Sequence, residues 1–132
     1  MNPITADRTL VDALADPPLG DVEKLLRADV RFRSPYADYT GRPDVAHVLG
    51  LVRNVLVDMR PVRRFREPSG AICVFEARVE GNEVQGTLFE QYDGDGSVVD
   101  AMLTIRPYAG LRAAMRAMQA LLDDSPLPSA RA

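Results

Sequence analysis

From Ala71 to Arg106 the chain alternates apolar and polar residues in three long runs, Ala71 to Glu80, Glu83 to Tyr92 and Ser97 to Arg106. Two turn signals separate them, Gly81-Asn82 and Asp93-Gly94-Asp95-Gly96. A period of two predicts half-buried strands, and links this short force neighbouring strands into antiparallel pairs, so a three-stranded meander is expected. With a two-residue first turn and a four-residue second one, the cross-strand rows become Val79, Val84, Ile105; Ala77, Gly86, Leu103; Phe75, Leu88, Ala101; and Cys73, Glu90, Val99. Every member except Glu90 is apolar or small. The opposite face is mixed, with Glu76, Arg78, Glu80, Glu83 and Arg106 among Val74, Phe89 and Met102. One face is therefore expected to pack on helices and the other to meet solvent or a partner, an α+β arrangement.

Upstream the period is that of a helix. Val45, Val48, Leu49, Val52, Val55, Leu56 and Met59 recur at spacings of three and four, with Pro43 suited to the first helical position and Pro61 ending the run. Before it, Leu10, Val11 and Leu14 predict a short helix broken at Asp16-Pro17-Pro18, and Val22, Leu25 and Leu26 predict a second from Leu19 to Ala28. Val30 to Ser34 reads as a strand stopped by Pro35, and Tyr36 to Arg42 as a polar loop. Val62 to Arg66 is a short Arg-rich strand, and Leu111, Met115, Met118 and Leu122 mark a final helix. The expected organisation is one domain over residues 1–122 followed by a flexible tail, 123–132.

Composition removes several kinds of chemistry. A single cysteine, Cys73, and a single histidine, His47, supply neither an internal disulfide nor a zinc cluster, so no metal and no cofactor is expected. No apolar run approaches the ~20 residues of a membrane span, and the first residues lack a signal-peptide pattern, so a cytoplasmic chain without membrane attachment is expected. Arg60, Arg63, Arg64 and Arg66 form the densest positive run, but the net charge of −3 argues against nucleic acid, and charge defending an edge strand explains the same residues.

The order of elements, with Phe32-Arg33-Ser34-Pro35 closing the first strand, Tyr39-Thr40-Gly41-Arg42 before the long helix and Asp95-Gly96-Ser97-Val98 before the last strand, resembles the nuclear transport factor 2-like superfamily, nearest its SnoaL-like branch. The resemblance implies a cone: a curved mixed or antiparallel sheet wrapped around the long helix, with a pocket at the open end and dimers through the sheet. Residue by residue it implies little established chemistry. Where steroid isomerases of this superfamily carry a base before proline, this chain has Ser34, and their second acid falls near Leu88. Where SnoaL-type cyclases place a late Asp, it has Leu103 to Arg106. Arg78 and Glu80 resemble the Arg-x-Asp pair of limonene epoxide hydrolases, but that site's other positions fall on Phe32, Ser34 and Leu103. A surface ion-pair cluster of Glu76, Arg78 and Glu80 explains the same residues.

Glu90 is the one ionisable side chain in the apolar rows, and burial would raise its pKa, as a general acid or base requires. It is the candidate catalytic group, with Tyr36 as a donor; a hydrated rim carboxylate or an Arg-paired one is the alternative. Tyr36 and Tyr39 follow the first strand, where the resemblance puts the pocket mouth. The expected pocket lining is Phe32, Ser34, Phe75, Leu88, Val99, Leu49 and Val52. His47 reads as an edge residue and Cys73 as a buried inert thiol. Three functions follow: binding of a small apolar metabolite in the cone; a cofactor-independent isomerase, cyclase or hydrolase using Glu90; or a non-catalytic structural or partner-binding subunit using the charged sheet face. A homodimer through the mixed sheet face is also expected, from Val74, Phe89 and Met102 standing among its charges.

Overall fold

The computed structural model describes residues 9–15 and 20–131, so the expected break at Asp16-Pro17-Pro18 lies outside the described residues. In chain order the elements are α1 (Leu10–Ala15), α2 (Gly20–Leu25), β1 (Leu26–Arg33), β2 (Asp38–Thr40), α3 (Arg42–Val55), β3 (Val57–Glu67), β4 (Gly70–Val79), β5 (Asn82–Tyr92), β6 (Val98–Arg106) and α4 (Tyr108–Asp124), then a 3-10 turn, Pro128–Arg131. The strands form one mixed sheet in the order β2-β1-β6-β5-β4-β3, parallel at β1/β6 and antiparallel elsewhere. It is curved and unclosed, the α+β cone expected from the sequence.

The long helix fills the hollow. Val45, Val48, Leu49, Leu51, Val52 and Val55 form its buried stripe, and they share one core with Phe32, Cys73, Phe75, Val79, Val84, Leu88 and Leu103 from the sheet. The helix ends at Val55, four residues short of the expected Met59, and the chain from Val57 becomes an eleven-residue edge strand. Pro61, expected to terminate a helix, lies inside that strand. A missing N–H is tolerated there because β3 pairs only with β4. Two other boundaries move the same way. Leu26 leaves the second helix to pair with Val98, and part of the expected loop, Asp38–Thr40, becomes a strand beside β1.

The rows of the meander keep their faces but slide by two residues. The first turn falls on Glu80 and Gly81, both with positive φ (49° and 83°), as the tightest hairpin turn requires, and Val79 pairs with Asn82. Asn82 Nδ2 donates to the Val79 carbonyl at 3.1 Å and closes it. At the second turn Asp93 Oδ1 accepts from the N–H groups of Asp95 and Ser97, and the ladder shifts between Gln91 and Tyr92. Because side chains repeat every two residues, a slip of two leaves each on its expected face. Val99 is the exception. It falls in the irregularity, so Val98 is the buried residue and Val99 only half-buried.

Candidate ligand cleft

The cone's interior is mostly filled. Phe32, Leu49, Val52, Phe75 and Leu88, five of the expected lining residues, surround a void of about 10 Å³ together with Val11 and Leu14 of α1. That is barely the volume of one water, and an apolar wall offers a water no partner. These side chains form a packed floor. Gly86 contributes to its tightness, since the Phe75 ring lies where a β-carbon on Gly86 would stand, 2.2 Å from Cζ.

Above the floor is a second space of about 30 Å³, which opens to the surface. Ser34, Pro35 and Tyr36 form one wall, just after β1; Val52, Val55 and Leu56 at the end of α3 form another. Leu103 and Ile105 of β6 lie beneath, and Leu111, Ala114, Met115 and Met118 of α4 roof it. Tyr36 stands at the rim, 37% exposed, with Met115 similarly placed at 37%. Tyr39 does not share the rim: it packs inward on Phe32, ring centroids 6.4 Å apart, and burial beside Tyr36 pushes its hydroxyl pKa up. Ser34 cannot face a ligand freely. Its hydroxyl donates to the Ala37 carbonyl at 2.8 Å and accepts from the N–H groups of Tyr36 and Ala37, fixing the loop.

Glu90 lines neither space. It is 1% exposed and sits between β5 and the first helix, where Leu10 N donates to Oε2 at 3.1 Å and the Tyr92 hydroxyl donates to Oε1 at 2.5 Å. Burial raises its pKa against the opposing effects of those two donors and of Arg66. Burial and the Glu90 carboxyl raise that of Tyr92 in turn, and Arg66 lies 5.8 Å from the Tyr92 ring centroid. The same helix end is fixed by Thr9, whose N–H and hydroxyl both donate to Asp12 at 2.9 Å, and by an Arg64–Asp12 ion pair. Burial pushes the Asp12 carboxyl up, but the Arg64 and Thr9 contacts prevail and hold it below its ordinary value. Glu90 thus stands neither hydrated at a rim nor beside an Arg of β1. It fastens α1 to the sheet.

Of the outer cluster, Glu76 pairs with Arg60, and Arg78 lies opposite Glu83 in the ladder. These four and Asp58 surround a shallow, charged depression of about 390 Å³. Glu80 is in the hairpin turn and does not line it. Cys73 is a free, buried thiol whose pKa is raised by burial. Among the described residues no group of three His, Cys, Asp or Glu side chains could hold a metal ion, and no helix is long and apolar enough to cross a membrane.

The roof is what sequence reasoning missed. Leu111, Met115 and Met118 read only as the apolar spacing of a final helix, and the available signal was the small-residue run Gly110, Ala113 and Ala114 on the same face, which lets α4 settle close to the sheet. A β-carbon on Gly110 would stand 2.2 Å from Val84 Cγ1.

No family model and no curated protein sequence matches the chain. Solved structures do. It is similar to a steroid delta-isomerase from Pseudomonas aeruginosa, 32% identical over 85% of each chain with a TM-score of 0.80. It is also similar to an uncharacterised bacterial protein with a cystatin-like fold from Silicibacter pomeroyi, 28% identical over 95% of this chain and 89% of that one, TM-score 0.85. A nuclear transport factor 2-like protein of unknown function from Cytophaga hutchinsonii, 13% identical over 76% of this chain and 86% of that one with a TM-score of 0.60, shares the fold. A packed cone around one long helix, with a likeness of this extent, makes the chain a member of the nuclear transport factor 2-like superfamily.

Proposed function

We infer that the protein binds a small, largely apolar molecule in the cleft beneath α4, acting in the cytoplasm as a binder and not as a proton-transfer enzyme. The observation that carries this reading is the lining. Apart from Ser34 and Tyr36 at one wall it is hydrocarbon and Met sulfur, with no carboxylate, histidine or cation among the residues that form it. The Pseudomonas aeruginosa relative is named an isomerase. Isomerisation through an enol needs a base near the ligand, and here Ser34 stands at the base position implied by the resemblance, with its hydroxyl already engaged by Ala37. Glu90, the other candidate base, is directed at Leu10 and Tyr92 instead.

The test uses the neutral fluorescent probe N-phenyl-1-naphthylamine. One probe per chain is expected, with affinity weakened at least about tenfold by Ala114→Leu, which places three more carbons in the cleft, and unchanged by Glu90→Gln. Equal binding by the wild type and Ala114→Leu would place the probe elsewhere and overturn the reading.

A second reading concerns assembly. Phe65, Ile72, Phe89 and Met102 are successive cross-strand partners in one row on the sheet face away from the helices. An apolar row across four strands supports a homodimer through that face, and the cleft on the other side stays accessible in such an assembly.

A further inference from the structure

The cleft as it stands encloses about 30 Å³, whereas pockets for small organic ligands run to roughly 300–1,000 Å³. For such a ligand to enter, a wall must move. β6 is held by ladders on both sides and α3 is the core, but α4 belongs to no ladder and rests on the sheet through its side chains. Three of its four fully buried residues are small, Gly110, Ala113 and Ala114 beside Met118, and Ala117, Leu121 and Leu122 pack on the core only half-buried, so lifting it uncovers less apolar area than lifting α3, whose buried stripe is all Val and Leu. The near end is seated on Val84 through Gly110. The far end is held by the chain that follows it.

That segment folds back onto the N-terminal half of α3. His47 Nε2 lies 2.8 Å from the Ser125 carbonyl oxygen, a geometry in which Nε2–H donates, and 3.3 Å from the Ser125 hydroxyl. The 3-10 turn Pro128–Arg131 then presents Ser129, whose N–H and hydroxyl donate to the two oxygens of Asp44 at 3.0 and 2.6 Å. The stretch after Asp123, expected to be a free tail, is in this structure tied to the helix that carries the cleft's second wall.

We propose that Ser125–Arg131 is a latch: its contacts with His47 and Asp44 hold α4 closed over the cleft, and ligand enters when they release and α4 swings about its Gly110 end. Ligand entry rests on the cleft being the binding site; the motion itself does not.

Amide hydrogen exchange of the full chain without ligand reads the motion directly. The His47→Ala, Ser129→Ala double variant is expected to exchange the amides of residues 112–124 about tenfold faster than wild type, because each removes a hydrogen bond of the closed state. The amides of β5 are expected to keep their wild-type rates. His47→Gln, whose amide can still donate to the Ser125 carbonyl, is expected to restore protection. Stopped-flow mixing with N-phenyl-1-naphthylamine is expected to give a correspondingly faster association. Unchanged exchange in α4, or acceleration shared equally by β5, overturns the latch. Faster α4 exchange with no probe bound by any variant supports the latch and instead overturns the cleft as a ligand site.

Discussion

At the scale of single residues, Glu90 is, apart from Cys73, the one fully buried ionisable side chain among the described residues. Its ordinary pKa lies near 4.5 and the folded state raises it, so the folded protein retains a proton that the unfolded chain releases. The resulting stability is fully present below that ordinary value and is lost as pH rises through the folded value. Gln at this position keeps both contacts, accepting from Leu10 N–H through its carbonyl and donating to the Tyr92 oxygen through its amide, with no charge to desolvate. Urea unfolding at pH 4 and pH 8 is expected to show Glu90→Gln gaining on wild type as pH rises, with the gap closing at the lower pH. Glu90→Ala strands the buried Leu10 N–H and the half-buried Tyr92 hydroxyl and leaves a cavity, a cost of about 2–4 kcal/mol at pH 4 that shrinks at pH 8, because only the wild type loses the stability of the retained proton. A gap between wild type and Glu90→Gln that does not change with pH would show that Glu90 titrates alike in both states. The alternation of β5 was enough to find this residue. What it meets was not legible, because Leu10 lies eighty positions away along the chain.

At the scale of elements, the sequence was most informative where one periodicity ran unopposed. The three strands of the meander and the stripe of α3 lie close to where their patterns put them, because each pattern fits only one kind of face. Boundaries moved where two patterns overlapped: Leu56 and Met59 continue the stripe of α3, but Val57 to Glu67 also suits an edge strand, and pairing with β4 decides it. The site was less legible than the fold. Its walls come from four separate stretches, and its roof depends on how closely α4 approaches the sheet. Gly110 sets that approach. In an exposed helix, Gly→Ala stabilises by about 1 kcal/mol, but here the new methyl would collide with Val84, whose branched side chain has little rotamer freedom. Gly110→Ala is therefore expected to destabilise by about 1–2 kcal/mol, and Val84→Ala in the same chain to recover most of the loss. A double-mutant cycle measures the coupling, and purely additive effects would mean that α4 does not rest on Val84.

At the scale of the whole molecule, the two faces of the sheet have different burdens. The inner face is saturated by α1, α3 and α4, whereas no described element covers the row from Phe65 to Met102. Phe65 is 55% exposed and Met102 36%. The row is bordered by Val74, Thr87 and Thr104 on one side and by Gln91 and the Arg31–Asp100–Arg33 cluster on the other. An apolar centre with a mostly polar border is the form of an isologous contact, in which the same patch on a second copy covers it about a two-fold axis. Such a contact must bury about 800 Å² on each partner to persist, and a row spanning four strands offers that breadth. Phe89 lies near its middle, so Phe89→Glu brings two like charges together at the axis while leaving the inner face and the cleft untouched. Sedimentation velocity at micromolar concentration is expected to give a dimer for the wild type and a folded monomer for Phe89→Glu, with undiminished binding of N-phenyl-1-naphthylamine per chain. A wild-type monomer would leave the outer row as ordinary surface, and a Phe89→Glu dimer would move the interface elsewhere, most directly to the exposed edge of β3.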